Sequence, residues 1–212
     1  MTSAVKICGL TDPASVAAAV AAGARFTGFV FFPKSPRNIA PVDAAGLATA
    51  VPLGIGRVGL FVNPDDALLQ DVLRHVPLDF IQLHGRESAE RVAEVKSLTG
   101  LPVIKAVGVA TTDDLDQLWD YGFAADMLLV DAKPAPDATL PGGNGLAFDW
   151  RLLVGRRWLK PWMLAGGLTP ENVAEAVRLT KAPAVDVSSG VESAPGVKDH
   201  DKIRAFIKAA QS

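Results

Sequence analysis

The chain has 212 residues, 49% of them hydrophobic, which is enough for one sizeable core but short for eight full strand–helix units. Lys and Arg total 21 against 23 Asp and Glu, and the net charge of -2 offers no footprint for nucleic acid or an anionic membrane. A single cysteine, Cys8, cannot form an internal disulfide; with no signal-peptide pattern at the N-terminus and no apolar run near the ~18 residues of a membrane span, the expectation is a cytoplasmic protein.

In chain order, short β-rich apolar runs recur at Val5 to Cys8, Thr27 to Phe32, Arg57 to Val62, Phe80 to Leu83, Val103 to Val107, Met127 to Val130, Trp162 to Ala165 and Ala184 to Val187. Several, such as Met127-Leu128-Leu129-Val130, are apolar without alternation, as strands of a parallel sheet covered on both faces are. Helix signals lie between them. Asp12-Pro13 places a cap and a first-turn proline before an Ala/Val-rich run that Gly23 ends. Thr169-Pro170 reads as the same device, Asn63-Pro64-Asp65 and Thr111-Thr112-Asp113 as further helix starts, and Asp199 to Ala210 as the last helix. Strand and helix in alternation indicate α/β, and eight units favour a closed (β/α)8 barrel in one domain, residues 1–212, over a doubly wound open sheet. The one long irregular segment, Asp131 to Phe148, is rich in Pro and Gly, as functional loops are.

In such a barrel, chemistry sits at the C-terminal ends of the strands. Cys8 ends the first run, Ser35-Pro36-Arg37 follows the second, His84-Gly85 the fourth, Asp131 ends the sixth, Gly166-Gly167 follows the seventh and Ser188-Ser189-Gly190 the eighth. The loops of Gly166, Gly167, Ser188, Ser189 and Gly190 form a candidate phosphate cradle of backbone NH and hydroxyl donors. Gly166-Gly167 alone would equally make a tight turn. Gly143 and Gly145, in the long loop, either complete the cradle or cover it.

Cys8 is either a small buried hydrophobe or a general base, and a base needs the thiolate. Lys6, two residues back on the same strand face, is the candidate cation that would favour it. Desolvation at an apolar strand end favours a protonated carboxyl, so Asp131 is the candidate general acid; the alternatives are a cap or a partner for Lys133. Asp186 either orients another site group or satisfies backbone donors. Arg37, in a proline-constrained loop, has the planar fork for a carboxylate or phosphate, unless it is a solvated surface arginine. His84 either contacts a ligand or is structural. His75 and His200 fall in helical contexts, and no two-His-plus-carboxylate spacing points to a metal. Neither a Gly-x-Ser-x-Gly elbow nor a dinucleotide fingerprint occurs.

Read together, Lys6-Ile7-Cys8-Gly9-Leu10, Gly28-Phe29-Val30-Phe31 with Ser35-Pro36-Arg37, Gln82-Leu83-His84-Gly85, Leu129-Val130-Asp131, Gly142-Gly143-Asn144-Gly145 with Phe148-Asp149-Trp150, Leu164-Ala165-Gly166-Gly167-Leu168 and Asp186-Val187-Ser188-Ser189-Gly190-Val191-Glu192 resemble the phosphoribosylanthranilate isomerase family from first strand to last. The resemblance implies a cofactor-free and metal-free Amadori rearrangement of a small phosphosugar in tryptophan biosynthesis, by a monomer or homodimer. It implies Asp131 as acid at the furanose ring oxygen, Cys8 as base at the sugar C2, and Arg37 on the anthranilate carboxylate. His84 and Asp186 would line the pocket, and the glycine- and serine-containing loops would hold the phosphate. Asn144 departs from an expected Thr or Ser. The histidine-pathway Amadori isomerase is the alternative enzyme, but those barrels usually use two aspartates in matching halves. A metal-dependent sugar-phosphate epimerase would need clustered histidines. A catalytically dead binding barrel would more readily have lost Cys8 or Asp131.

Overall fold

The computed structural model describes residues 2–133, 140, 142–143, 145 and 147–212. Eight strands carry the fold: β1 (Ala4–Cys8), β2 (Phe26–Phe31), β3 (Gly56–Phe61), β4 (Phe80–Leu83), β5 (Val103–Val109), β6 (Met127–Ala132), β7 (Trp162–Leu164) and β8 (Ala184–Val187). Each pairs in parallel with the next, and Ala4 to Ile7 of β1 pair with Ala184 to Val187 of β8, which closes the ring and excludes the open sheet. All eight sequence runs became strands, two with the same bounds and six with one or both ends shifted by one or two residues.

The helices are α1 (Pro13–Ala22), α2 (Pro41–Thr49), α3 (Asp66–His75), α4 (Ala89–Thr99), α5 (Gln117–Asp120), α6 (Val173–Thr180) and α7 (His200–Ala210). The expected start of α1 is borne out: the Asp12 carboxylate accepts from Ser15 N at 2.8 Å, and Gly23, at φ 96°, turns the chain out through the left-handed region. Asp65 and Asp199 cap α3 and α7 in the same way. The Thr169-Pro170 device is present as well, one turn ahead of the regular helix: Thr169 Oγ1 accepts from Glu171 N at 3.3 Å, its carbonyl accepts from Val173 N at 3.1 Å, Asn172 Oδ1 accepts from Thr169 N at 2.8 Å, and α6 runs on from Val173. After Thr111-Thr112 the chain forms a 3-10 turn and then the four-residue α5. Among the described residues, a 3-10 turn at Trp150–Leu153 is the helical element between β6 and β7. No helix of the described residues is long and apolar enough to cross a membrane.

The alternation of side chains along each strand sorts the sequence into two environments. Val5, Ile7, Phe29, Phe31, Phe61, Ile81, Leu83, Leu128 and Val130 point outward into the buried layer shared with the helices. Val58, Ile104, Leu129, Met163 and Ala184 fill the interior of the ring, with Cys8, Val30 and Leu60 above them. Phe26 and Phe80 meet edge to face at 5.6 Å at the N-terminal end of the ring. Inward-facing positions at the C-terminal end are the ones that carry polar groups, and this is what places the site.

Candidate active site

Strand alternation brings Cys8, His84, Asp131 and Ser188 to the inner, C-terminal rim of β1, β4, β6 and β8. With Arg37, Asp186 and the glycines of three loops, they line one cavity of about 790 Å³ including its open mouth. That size suits a small-molecule ligand. Every site residue expected from the sequence lies on this cavity: Cys8, Arg37, His84, Asp131, Gly143, Gly145, Gly166, Gly167, Asp186, Ser188, Ser189 and Gly190. Asn144, the departure from the family pattern, lies outside the described residues.

Cys8 sits at the end of β1, 3% exposed. Lys6, on the same strand face, is fully buried, and its Nζ donates to Asp186 Oδ1 at 2.8 Å. The β1–β8 register puts Lys6 and Asp186 directly opposite each other, so the ion pair is a consequence of ring closure. Burial works against the Lys6 charge, yet Asp186 and Cys8 hold the ammonium above the usual lysine range. The expectation that Lys6 favours the thiolate is met only in part. Burial pushes the thiol up, Lys6 pulls it down, and Asp186 pushes it up again, leaving it above an ordinary cysteine. Gly28 of β2 leaves the room this pair needs: a Cβ there would stand 3.0 Å from Cys8 Sγ and 3.1 Å from Lys6 Nζ.

Asp131, the penultimate residue of β6, has 7% of its surface exposed. Its Oδ1 accepts from Ala132 N at 2.8 Å, and its Oδ2 lies 3.1 Å from His84 Nε2. Gln82, two residues before His84 on the same inner face, has its Nε2 2.9 Å from His84 Nδ1, so the ring is held between Gln82 and Asp131. Both oxygens of Asp131 are thereby anchored, which fixes the plane of the carboxyl against the cavity. Gly142 packs against this pair; a Cβ there would stand 2.5 Å from His84 Nε2 and 2.8 Å from Asp131 Oδ2. Lys133, the alternative partner named for Asp131, pairs instead with Asp114. His84 is itself held by its loop: Glu87 accepts from Gly85 N and Asn63 N, and the buried Lys105 ties Glu87 to the Gly85 carbonyl.

Arg37 is 6% exposed, so the solvated-arginine alternative fails. Its Nε and Nη2 donate to the two oxygens of Glu192 at 2.8 Å each, and Nη2 also reaches the Gly143 carbonyl at 3.3 Å. The fork expected to grip a ligand is therefore engaged by the protein, and Nη1 is the nitrogen without a protein acceptor among the described residues. Behind the arginine stem the chain needs Gly9, at φ 76°, where a Cβ would fall 2.9 Å from Arg37 Cδ.

The loops after β7 and β8 pack without space for side chains. A Cβ on Gly190 would overlap the Leu168 carbonyl, and Gly166, at φ 83°, lies against Ala132 N. The 3-10 turn Ser189–Val191 follows, and Ser188 Oγ donates to the Cys8 carbonyl at 3.2 Å. Sequence reasoning missed three residues here. Gln82 was read as part of a strand and of a matching motif, with no role given to it. Glu192 stood in a matching motif with no role given to it. Lys198, whose side chain is fully buried and donates to Glu192 Oε1 at 2.7 Å, gave no sequence signal.

The comparisons with known proteins agree with this geometry. The model of the N-(5'-phosphoribosyl)anthranilate isomerase family matches residues 5–209. The chain is 73% identical over 210 residues to the N-(5'-phosphoribosyl)anthranilate isomerase of Paracoccus denitrificans, covering 99% of this chain and 98% of the relative. It superposes on the crystal structure of the Thermotoga maritima enzyme with a TM-score of 0.89 at 42% identity, covering 98% of both chains. It superposes on a phosphoribosyl anthranilate isomerase in complex with reduced 1-(o-carboxyphenylamino)-1-deoxyribulose 5-phosphate with a TM-score of 0.86 at 40% identity, again over 98% of both chains. A closed eight-stranded barrel, a polar cavity at its C-terminal rim and a family match over nearly the whole length lead to one conclusion: the chain belongs to the N-(5'-phosphoribosyl)anthranilate isomerase family.

Proposed function

We propose that Cys8 and Asp131 act as base and acid in the Amadori rearrangement of N-(5'-phosphoribosyl)anthranilate to 1-(2-carboxyphenylamino)-1-deoxyribulose 5-phosphate, the isomerisation of tryptophan biosynthesis for which the family is named. The observation that carries the reading is that one thiol and one carboxyl face the same cavity from β1 and β6, strands that no ladder joins. An aldose-to-ketose shift needs that pair on two sides of a sugar.

Asp131 gives its proton to the furanose ring oxygen as the bond from that oxygen to C1 breaks. The anilino nitrogen's lone pair then forms the C1=N bond of a Schiff base. The Cys8 thiolate takes the proton from C2, and the electrons of that bond close the C1=C2 double bond of an enolamine. The C2 hydroxyl proton passes to the Asp131 carboxylate and the Cys8 thiol gives its proton to C1, which yields the aminoketone and resets both groups. Atoms balance without a redox group. The rate of the C2 step follows the thiolate fraction of Cys8, which burial holds down and Lys6 and Lys198 raise. Nη1 of Arg37 meets the anthranilate carboxylate, and the NH groups of the Gly166-Gly167 and Ser188-Ser189-Gly190 loops meet the phosphate. Gly143, Gly145 and Asp186 complete the wall. We place the enzyme in the cytoplasm, since its one buried cysteine calls for no oxidising compartment.

The test is turnover of freshly made phosphoribosylanthranilate. Cys8→Ala and Asp131→Asn should each lower kcat by about 10²-fold or more with the fold kept, the size of a lost general acid or base. Near-normal turnover of either variant removes that residue from its role.

A further inference from the structure

Glu192 opens β9 (Glu192–Ala194), the first strand of a small hairpin completed by β10 (Val197–Lys198), which lies outside the ring of eight. Its side chain is 4% exposed. Oε1 accepts from Arg37 Nε at 2.8 Å and from Lys198 Nζ at 2.7 Å; Oε2 accepts from Arg37 Nη2 at 2.8 Å and from Gly196 N at 3.3 Å. Lys198 Nζ also donates to the Ser188 carbonyl at 3.0 Å.

We propose that Glu192 is a positioning residue for substrate recognition, which holds Arg37 by its Nε–Nη2 edge and so presents Nη1 to the aromatic carboxylate of the substrate. This deepens, and rests on, the carboxylate role given to Arg37 above.

Three observations carry it. First, the hydrogen count of the guanidinium is nearly closed. Arg37 has five N–H groups; Nε and Nη2 spend theirs on Glu192 and the Gly143 carbonyl, and among the described residues the two on Nη1 meet no acceptor. Nη1 lies beside the Gly143 backbone at the cavity wall, where a Cβ would stand 2.6 Å from it. Without Glu192 the long side chain would regain rotamer freedom, and the ligand would have to order it at each binding.

Second, the charges leave a remainder of the right sign. Two buried cations share one buried carboxylate. Burial works against the Glu192 charge, but Arg37 and Lys198 hold its carboxyl below the ordinary range, so it stays ionised. Burial pushes the Lys198 ammonium below the ordinary lysine range while Glu192 opposes that shift, and with Lys198 protonated one positive charge is left over at the wall where an anion is to sit. A buried ion-pair cluster seldom gains stability over well-packed apolar side chains, so orientation and residual charge account for this one better than stability does.

Third, the cluster is tied to the rest of the site. Lys198 joins Glu192 to Ser188, and Ser188 Oγ donates to the Cys8 carbonyl. The carboxylate subsite is thus held at a fixed distance from the base and from the loop assigned to the phosphate, as a rigid substrate with an anion at each end requires.

The experiment uses two ligands and three variants. The ligands are reduced 1-(o-carboxyphenylamino)-1-deoxyribulose 5-phosphate and the same compound with phenyl in place of carboxyphenyl. Dissociation constants are measured by calorimetry for the unaltered protein and for Arg37→Ala, Glu192→Gln and Glu192→Asp. Glu192→Gln should weaken the carboxylated ligand by about 10-fold or more, as loss of a well-oriented charge-assisted bond does, and leave the phenyl compound within about 3-fold. Glu192→Asp keeps the charge but is one methylene too short to span both nitrogens. It should show a smaller loss with the same selectivity, and it carries the test if the glutamine variant does not fold. Equal weakening of both ligands by the Glu192 variants marks a merely structural role and overturns the proposal. A selective loss in Arg37→Ala with none in the Glu192 variants overturns it while leaving the role of Arg37 intact. No selective loss in Arg37→Ala removes the carboxylate assignment, and the proposal falls with it.

Discussion

Lys6→Met tests whether the ion pair beneath Cys8 holds both the barrel and the base. The substitution keeps most of the length and apolar stem of Lys6 and removes its charge. Asp186 then stays in place with its side chain 8% exposed and its partner at 2.8 Å gone. Removing one member of a buried pair strands the other, at a cost of about 3–5 kcal/mol. At roughly 2–4 °C per kcal/mol for a domain of this length, the melting temperature should fall by roughly 6–20 °C. The thiol should rise further, because the cation that pulls it down most is gone.

The assay is urea and thermal unfolding near neutral pH, run as a double-mutant cycle with Asp186→Asn. If the cost is the stranded carboxylate, the double variant recovers much of the stability lost by Lys6→Met, with a coupling energy above about 1 kcal/mol. A single-variant cost below about 1 kcal/mol, or additive losses in the double variant, would refute the reasoning. The ion pair would then be a bystander, and Cys8 would owe its environment to burial alone.

Two further outcomes follow from the same geometry. Alkylation of Cys8 by iodoacetamide in the ligand-free protein should rise with pH and reach its midpoint above the ordinary thiol value of about 8.5, because the group's folded pKa is raised and the thiolate appears only as pH passes through it. A midpoint at or below neutrality would show that Lys6, with Lys198, outweighs burial and Asp186. Gly190→Ala should raise KM far more than it lowers the melting temperature, because the new Cβ overlaps the Leu168 carbonyl and separates the loops assigned to the phosphate. An unchanged KM for the phosphosugar in steady-state kinetics would take the phosphate away from those loops.

The strands could be read from the sequence because inner and outer faces are both buried. Runs such as Met127 to Val130 then stand out without any alternation to interpret. The first helix could be read because its cap is local: Asp12, Pro13 and Gly23 act within the chain segment itself. Thr169-Pro170 was legible for the same reason: the Thr169 hydroxyl and the Asn172 side chain cap each other's backbone within four residues, although the regular helix starts only at Val173. The site residues at strand ends were accessible because position along a strand predicts position in a barrel. Glu192, Lys198 and Gln82 were not. Glu192 and Lys198 meet Arg37 only through a hairpin whose register no periodicity announces, across 155 positions in the Glu192–Arg37 contact. Gln82 is an inward-facing polar residue within an apolar run, and its use becomes visible only when His84 and Asp131 are seen beside it.

The arrangement also says why acid and base come from different parts of the ring. Lys6 and Asp186 stand in register across the β1–β8 ladder, the pairing made between the first and last strands of the ring. The cation beside Cys8 is therefore neutralised by the act of closing the barrel, and a chain whose ring has not closed holds neither the ion pair nor the buried thiol. Asp131 depends on nothing from that ladder. Its anchors are Ala132 on its own strand and His84 on β4, supported by Gln82 and the Glu87–Lys105 pair. The two halves of the chemistry are thus assembled by separate sets of contacts and meet only across the cavity. A lesion in the β1–β8 ladder should cost stability together with base function, whereas a lesion at Gln82 should lower turnover with little loss of fold. Gln82 is the point at which these two kinds of damage separate most cleanly, because among the described residues its side-chain hydrogen bond goes to His84 and to no part of the β1–β8 ladder.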